Sequence, residues 1–217
     1  MGLFNKKKQI QSVTLDHKKN QIQPVTLDPI LVSAMFAELD MDFINITDEV
    51  KNDREKYISV LREYTQDRES RTRLWAWRKL RALSVYPEEA QAKEVLGFVA
   101  EVGTNGGIDY LAAYADSSAR YYNFSGAAVI YEGGVSPQVD SEIQKLIELA
   151  KYPVSIIGLW EGARLAPPPQ GFIRLNFLTP SGLLLGQGPM DAIQNDPLGR
   201  DVLNQTVVLL QLLTTLH

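Results

Sequence analysis

The chain has 217 residues, 45% hydrophobic and 22% charged, which is enough apolar material for one substantial domain or two small ones. Its net charge of -4 argues against a surface built throughout to hold nucleic acid or anionic lipid, and no run approaches the roughly 20 apolar residues of a membrane span. Cysteine is absent and His17 and His217 are the only histidines, so thiolate metal sites, thiol nucleophiles and histidine triads have almost no material; no metal and no cofactor are expected.

Residues 1–28 read as a flexible tail that carries Lys6, Lys7, Lys8, Lys18 and Lys19 against Asp16 and Asp28. It lacks the apolar stretch of a secretory signal, which leaves the cytoplasm as the expected compartment. The tail also holds an internal repeat: QIQSVTLD at 9–16 returns as QIQPVTLD at 21–28, differing only at Ser12 and Pro24. Val13, Leu15, Val25 and Leu27 give each copy the alternation of an extended strand, but neither copy buries enough apolar area to order itself. One reading is a local duplication in an unstructured tail. The other is a bivalent linear motif, each copy adding a strand to the sheet edge of a partner or a neighbouring subunit.

Residues 29–86 predict a helical segment. Asp28-Pro29 supplies an N-cap and a first-turn proline, Thr47-Asp48-Glu49 opens a second helix, and Val50, Tyr57, Ile58, Leu61 and Tyr64 make its apolar stripe. A third helix covers Arg68 to Leu83 and stops before Tyr86-Pro87. Its run ESRTRLWAWRKLRAL interleaves Arg71, Arg73, Arg78, Lys79 and Arg81 with Trp75 and Trp77. Helical spacing favours a solvated basic face, ahead of an acidic protein partner and well ahead of nucleic acid.

From 87 to 217 the pattern predicts an α+β domain. Period-two alternation from Glu94 is punctuated by turns at 103–107, 116–118, 125–126 and 133–134, the cadence of an antiparallel meander. Ser136-Pro137 caps a helix with Val139, Ile143, Leu146, Ile147 and Ala150 on one face, expected to end by Tyr152-Pro153. Strands are then expected at Val154 to Trp160, Phe172 to Leu178 and Leu183 to Gly186, before a last helix entered at Asp196-Pro197. Each half thus reads as three strands and a helix. Such a βββα duplication builds one antiparallel sheet of about six strands with helices packed on one face.

The polar residues expected to converge are Asp109, Asp116, Arg120, Tyr121 and Asn123 in the meander, and Trp160, Glu161 and Arg164 ahead of Pro167-Pro168-Pro169. Asp109 facing Arg120 suggests a cross-strand ion pair. The functional version makes Asp109, Asp116 and Glu161 acid and base, with Arg120 and Arg164 holding an anionic substrate. Trp160 and Arg164, on a stiff polyproline loop, are a candidate contact surface. Tyr110, Tyr114, Tyr121 and Trp160, anchored by Arg120 or Arg164, are the lining of an alternative small-molecule pocket.

The block YADSSARYYNFSG followed by VIYE, within Asp109 to Glu132, resembles a motif of uncharacterised bacterial proteins, often written with Gly at the position of Ser117 or Ser118. That resemblance implies a bacterial cytoplasmic origin and transfers no catalytic residue. The expected function is a non-catalytic protein–protein interaction or adaptor module. A protein partner or self-association is expected, with no membrane and no nucleic acid. The alternatives are a small-molecule sensor or enzyme and, third, a nucleic-acid adaptor.

Overall fold

The structure, a computed structural model, describes residues 11–13, 27–40, 44 and 46–216. Of the tail motif, Leu15 and Val25 lie outside them. The elements in chain order are β1 (Gln11–Val13), α1 (Pro29–Met35), α2 (Asp48–Asn52), α3 (Arg54–Tyr64), α4 (Ser70–Ala82), α5 (Glu89–Ala92), β2 (Gly97–Gly103), β3 (Ile108–Tyr114), β4 (Ala119–Tyr122), β5 (Ala128–Tyr131), α6 (Pro137–Ile156), β6 (Phe172–Thr179), β7 (Gly182–Pro189), α7 (Met190–Asn195) and α8 (Arg200–Thr214). Three of the expected caps form, while the last helix opens later than Asp196-Pro197: Gly199 is its N-cap, and Asp196 Oδ1 instead accepts from Leu198 N in the turn before it. Asp28 Oδ1 accepts from Ile30 N at 2.8 Å, and the Thr47 and Ser136 hydroxyls accept from Val50 N and Val139 N.

All strand pairs are antiparallel, in the order β1-β5-β4-β3-β2-β6-β7. The α+β region holds six strands, the number expected, and β1 of the tail adds a seventh at one edge. The division is four and two, not three and three. Val154 to Trp160 is not a strand: α6 continues through Pro153 to Ile156. Pro153 removes one helical donor, but Val154, 1% exposed, remains in the apolar core facing the sheet, and that packing outweighs the proline's bias. The two groups of strands still meet edge to edge, at β2 and β6.

Side-chain alternation gives the sheet two apolar faces. Phe98, Ala100, Leu111, Ala113, Val129, Tyr131, Leu175 and Phe177 pack against α6 and α8, the face on which helices were expected. Val99, Tyr110, Ala112, Tyr114 and Leu178 face the other way, where Met35 and Phe36 near α1, Leu61 of α3, and Leu74, Trp77 and Leu80 of α4 cover them. The helical segment is therefore the third layer of one sandwich. Tyr114 Oη donates to Met35 O at 2.7 Å across that interface. On helix α4 the basic residues Arg71, Arg73, Arg78, Lys79 and Arg81 are half-buried, not a fully solvated face, and Trp75 is buried with Trp77 because α4 lies between the sheet and α3.

Candidate functional site at the sheet edges

The tail strand sits on the open edge of β5, with Gln11 opposite Ile130, Ser12 opposite Val129 and Val13 opposite Ala128. Which backbone groups face which neighbour follows from the adjacent ladders. Asn123 N donates to Ala127 O, and their register continues through Tyr121–Val129 to Ala119–Tyr131. These are the narrow, hydrogen-bonded pairs, so 127, 129 and 131 point at β4 while 128 and 130 point at β1. Gln11 and Val13 therefore make the ladder bonds, and the N–H of Ser12 points away from the sheet. The repeat differs at the equivalent of this one outward position. Proline is tolerated on an edge strand where the N–H faces out, so Pro24 costs the second copy none of the groups that β5 reads.

At the opposite edge the chain covers β7 only in part. Trp160 N donates to Leu183 O at 2.8 Å, a Cβ on Gly182 would meet Leu159 at 3.6 Å, and Trp160 Nε1 donates to Ala163 O at 2.9 Å. The proline loop that follows is clamped along its length. Arg164 stacks 4.8 Å over Phe36 and lies 3.3 Å from Glu38. Gly171 N donates to Gly103 O, and the loop backbone comes so close that a Cβ on Gly103 would lie 2.0 Å from Pro169 O.

The sequence-selected residues do not gather at one point. Asp109 and Arg120 form no ion pair: Arg120 registers with Ala112 and Ile130, and the two side chains leave opposite faces of the sheet. Asp109 accepts from Tyr121 Oη at 3.1 Å and Phe124 N at 2.9 Å. Arg120, 6% exposed, donates to the carbonyls of Ala119 and Tyr131 and pairs with Glu132 at 2.7 Å. Asp116 joins the β3–β4 turn to the start of α4, accepting from Ser70 N at 2.8 Å and from Ser118 N and Oγ. Asn123 Oδ1 holds the β4–β5 turn by accepting from Ser125 N and Ala127 N. Glu161 is exposed, and Leu27 is half-buried against the helical layer. Tyr110 and Tyr114 face the helical layer while Tyr121 faces α6, so these aromatics line no common space.

A buried polar row was missed. Glu101, Arg174 and Gln187 register side by side across β2, β6 and β7, with Arg174 Nη1 3.0 Å from Glu101 Oε1 and Arg174 Nη2 2.6 Å from Gln187 Oε1. Arg174 also donates to Leu165 O and Ala166 O, fastening the proline loop. Asn176 Nδ2 donates to Val99 O and Glu101 Oε1, while its Oδ1 is buried without a partner. Burial first, then the Glu101 charge, push the Tyr110 phenol beside this row up to about 12. The visible signal was two same-face polar residues, Arg174 and Asn176, inside the apolar strand FIRLNFLT.

Among the described residues no group of His, Cys, Asp or Glu is arranged to hold a metal ion, and no helix is long and apolar enough to cross a membrane. Comparison with protein-family models, with curated proteins and with solved structures finds no match.

Proposed function

We propose that this chain is a protein–protein interaction module of a bacterial cytoplasm that works by strand addition, with QIQ-x-VTLD as the strand and the β5 edge as its reader. The observation that carries the reading is the antiparallel pairing of Gln11–Val13 with Ala128–Ile130. Two narrow pairs contribute only about 0.5–1.5 kcal/mol per hydrogen bond, set against about 1–2 kcal/mol per residue of backbone ordering. The tail strand is therefore exchangeable, and its tether keeps the local concentration high. A partner with a longer strand displaces it, and the second motif copy carries the same residues, Gln23 and Val25, at the ladder-forming positions.

The basic residues of α4 favour protein over nucleic acid. Arg73 pairs with Glu94 at 2.7 Å, Lys79 with Asp40 at 2.6 Å, and Arg71 lies 5.7 Å over the Tyr114 ring, so these cations are already engaged by groups of the same chain.

The test is fluorescence anisotropy with a labelled peptide of residues 9–16 and the full chain carrying Val13→Pro, which frees the edge. Saturable binding is expected. A Ser12→Pro peptide should bind comparably and a Gln11→Pro peptide should not. Equal binding of all three, or of none, sinks the reading.

A further inference from the structure

One cluster of α4 cations is not used by the strand edge. A cavity of about 100 Å³ lies between α4, the turn after α1 and the β6–β7 hairpin, lined by Arg78, Arg81 and Glu38 with Phe36, Leu74 and Leu183 as apolar walls. Charge there is unbalanced. Arg78 reaches Asp40 only at 3.4 Å, and Lys79 holds the same carboxylate at 2.6 Å. Glu38 is drawn to Arg164 at 3.3 Å. Among the described residues no carboxylate pairs with Arg81, whose guanidinium donates to Pro180 O. Arg78 Nε is buried without a hydrogen-bond partner among the described residues. Among the described residues, four cations thus share two carboxylates in a protein that is acidic overall. Burial and then the like charge of Arg78 hold the Arg81 guanidinium below its ordinary pKa, the direction expected for a half-buried cation lacking a counter-charge.

We propose that this cavity binds a small oxyanion, a carboxylate or a phosphate group, with Arg81 as its principal ligand and Arg78 as the second. Spacing of i and i+3 puts both guanidinium forks on one side of α4, and each fork matches two oxygens of such a group. A cavity of about 100 Å³ has room for one oxyanion head with a short stem. The apolar walls suit the stem.

The test titrates the full-length chain with inorganic phosphate and, separately, with propionate at fixed ionic strength, using chloride as the reference salt, followed by calorimetry. Saturable binding of at least one is expected; the tighter of the two assigns the head group. Arg81→Gln should weaken it about tenfold or more, and Arg81→Lys less. Glu38→Gln removes the carboxylate from the cavity rim and should tighten binding while leaving the packing of Arg81 alone, so the proposal stays testable if Arg81→Gln fails to fold. Arg200→Gln, at an exposed arginine away from the cavity, should bind as the parent does. Absence of saturable binding by either anion, or affinity unmoved by both Arg81→Gln and Glu38→Gln, would overturn the proposal.

Discussion

Arg174 is 1% exposed and Glu101 2%, and each is the other's only opposite charge within ion-pair distance among the described residues. Glu101→Leu leaves a buried guanidinium uncompensated and should lower the unfolding free energy by about 3–5 kcal/mol. Adding Arg174→Met should restore part of that loss, because an apolar pair of similar size needs no counter-charge. Chemical denaturation of the three chains measures both effects. A double variant weaker than Glu101→Leu would mean that the hydrogen bonds from Arg174 to the proline loop outweigh the ion pair.

The tyrosines set a pH limit from the same physics. Burial raises Tyr110 to about 12 and also raises Tyr114, Tyr121, Tyr122 and Tyr131 above their ordinary value. A phenol is neutral when protonated, and the folded state holds these protons more tightly than the unfolded chain, whose tyrosines titrate near about 10. Their contribution is complete below that value and is lost as pH rises from about 10 towards 12 and beyond. Near-ultraviolet absorbance should show tyrosinate appearing together with unfolding. A titration of all these phenols near their free value in a still-folded chain would contradict the burial.

At the scale of elements, the phase of the edge strand fixes which amides β1 protects. If Ser12 N–H points outward, Ser12→Pro should leave the Ala128 and Ile130 amides as protected as in the parent, whereas Val13→Pro should expose Ala128. Amide hydrogen exchange separates the two substitutions. Equal loss of protection in both would put the ladder in the other phase. The repeat itself was legible because strands need alternation and the copies match at seven of eight positions. Its use at the chain's own sheet edge was not, since edge pairing depends on which strand ends up outermost. The misplaced strand at Val154 to Trp160 has a similar origin: Val154 packs at the end of a helix, and local pattern does not distinguish that from the start of a strand.

For the whole molecule, the covered faces decide cohesion. Val99, Tyr110, Ala112, Tyr114 and Leu178 are buried under residues of the 29–86 segment, and fully burying one large apolar side chain is worth about 1.5–3 kcal/mol. A chain of residues 87–217 alone should therefore bind a hydrophobic dye and self-associate, measured by fluorescence and sedimentation. A monomeric fragment that binds no dye would show that this face closes by itself.

The α+β class, the caps at Asp28, Thr47 and Ser136, and the meander followed from the order of residues, because helix and strand periods, capping side chains and turn residues are local. Tertiary structure alone decided that Glu101 meets Arg174, that Asp109 never meets Arg120, that the helical segment covers the second face, and that Arg81 pairs with no carboxylate among the described residues. Each of these depends on register and on which layer lies opposite. Both are set by global burial and charge pairing among residues far apart in the chain, so no window of sequence contains them.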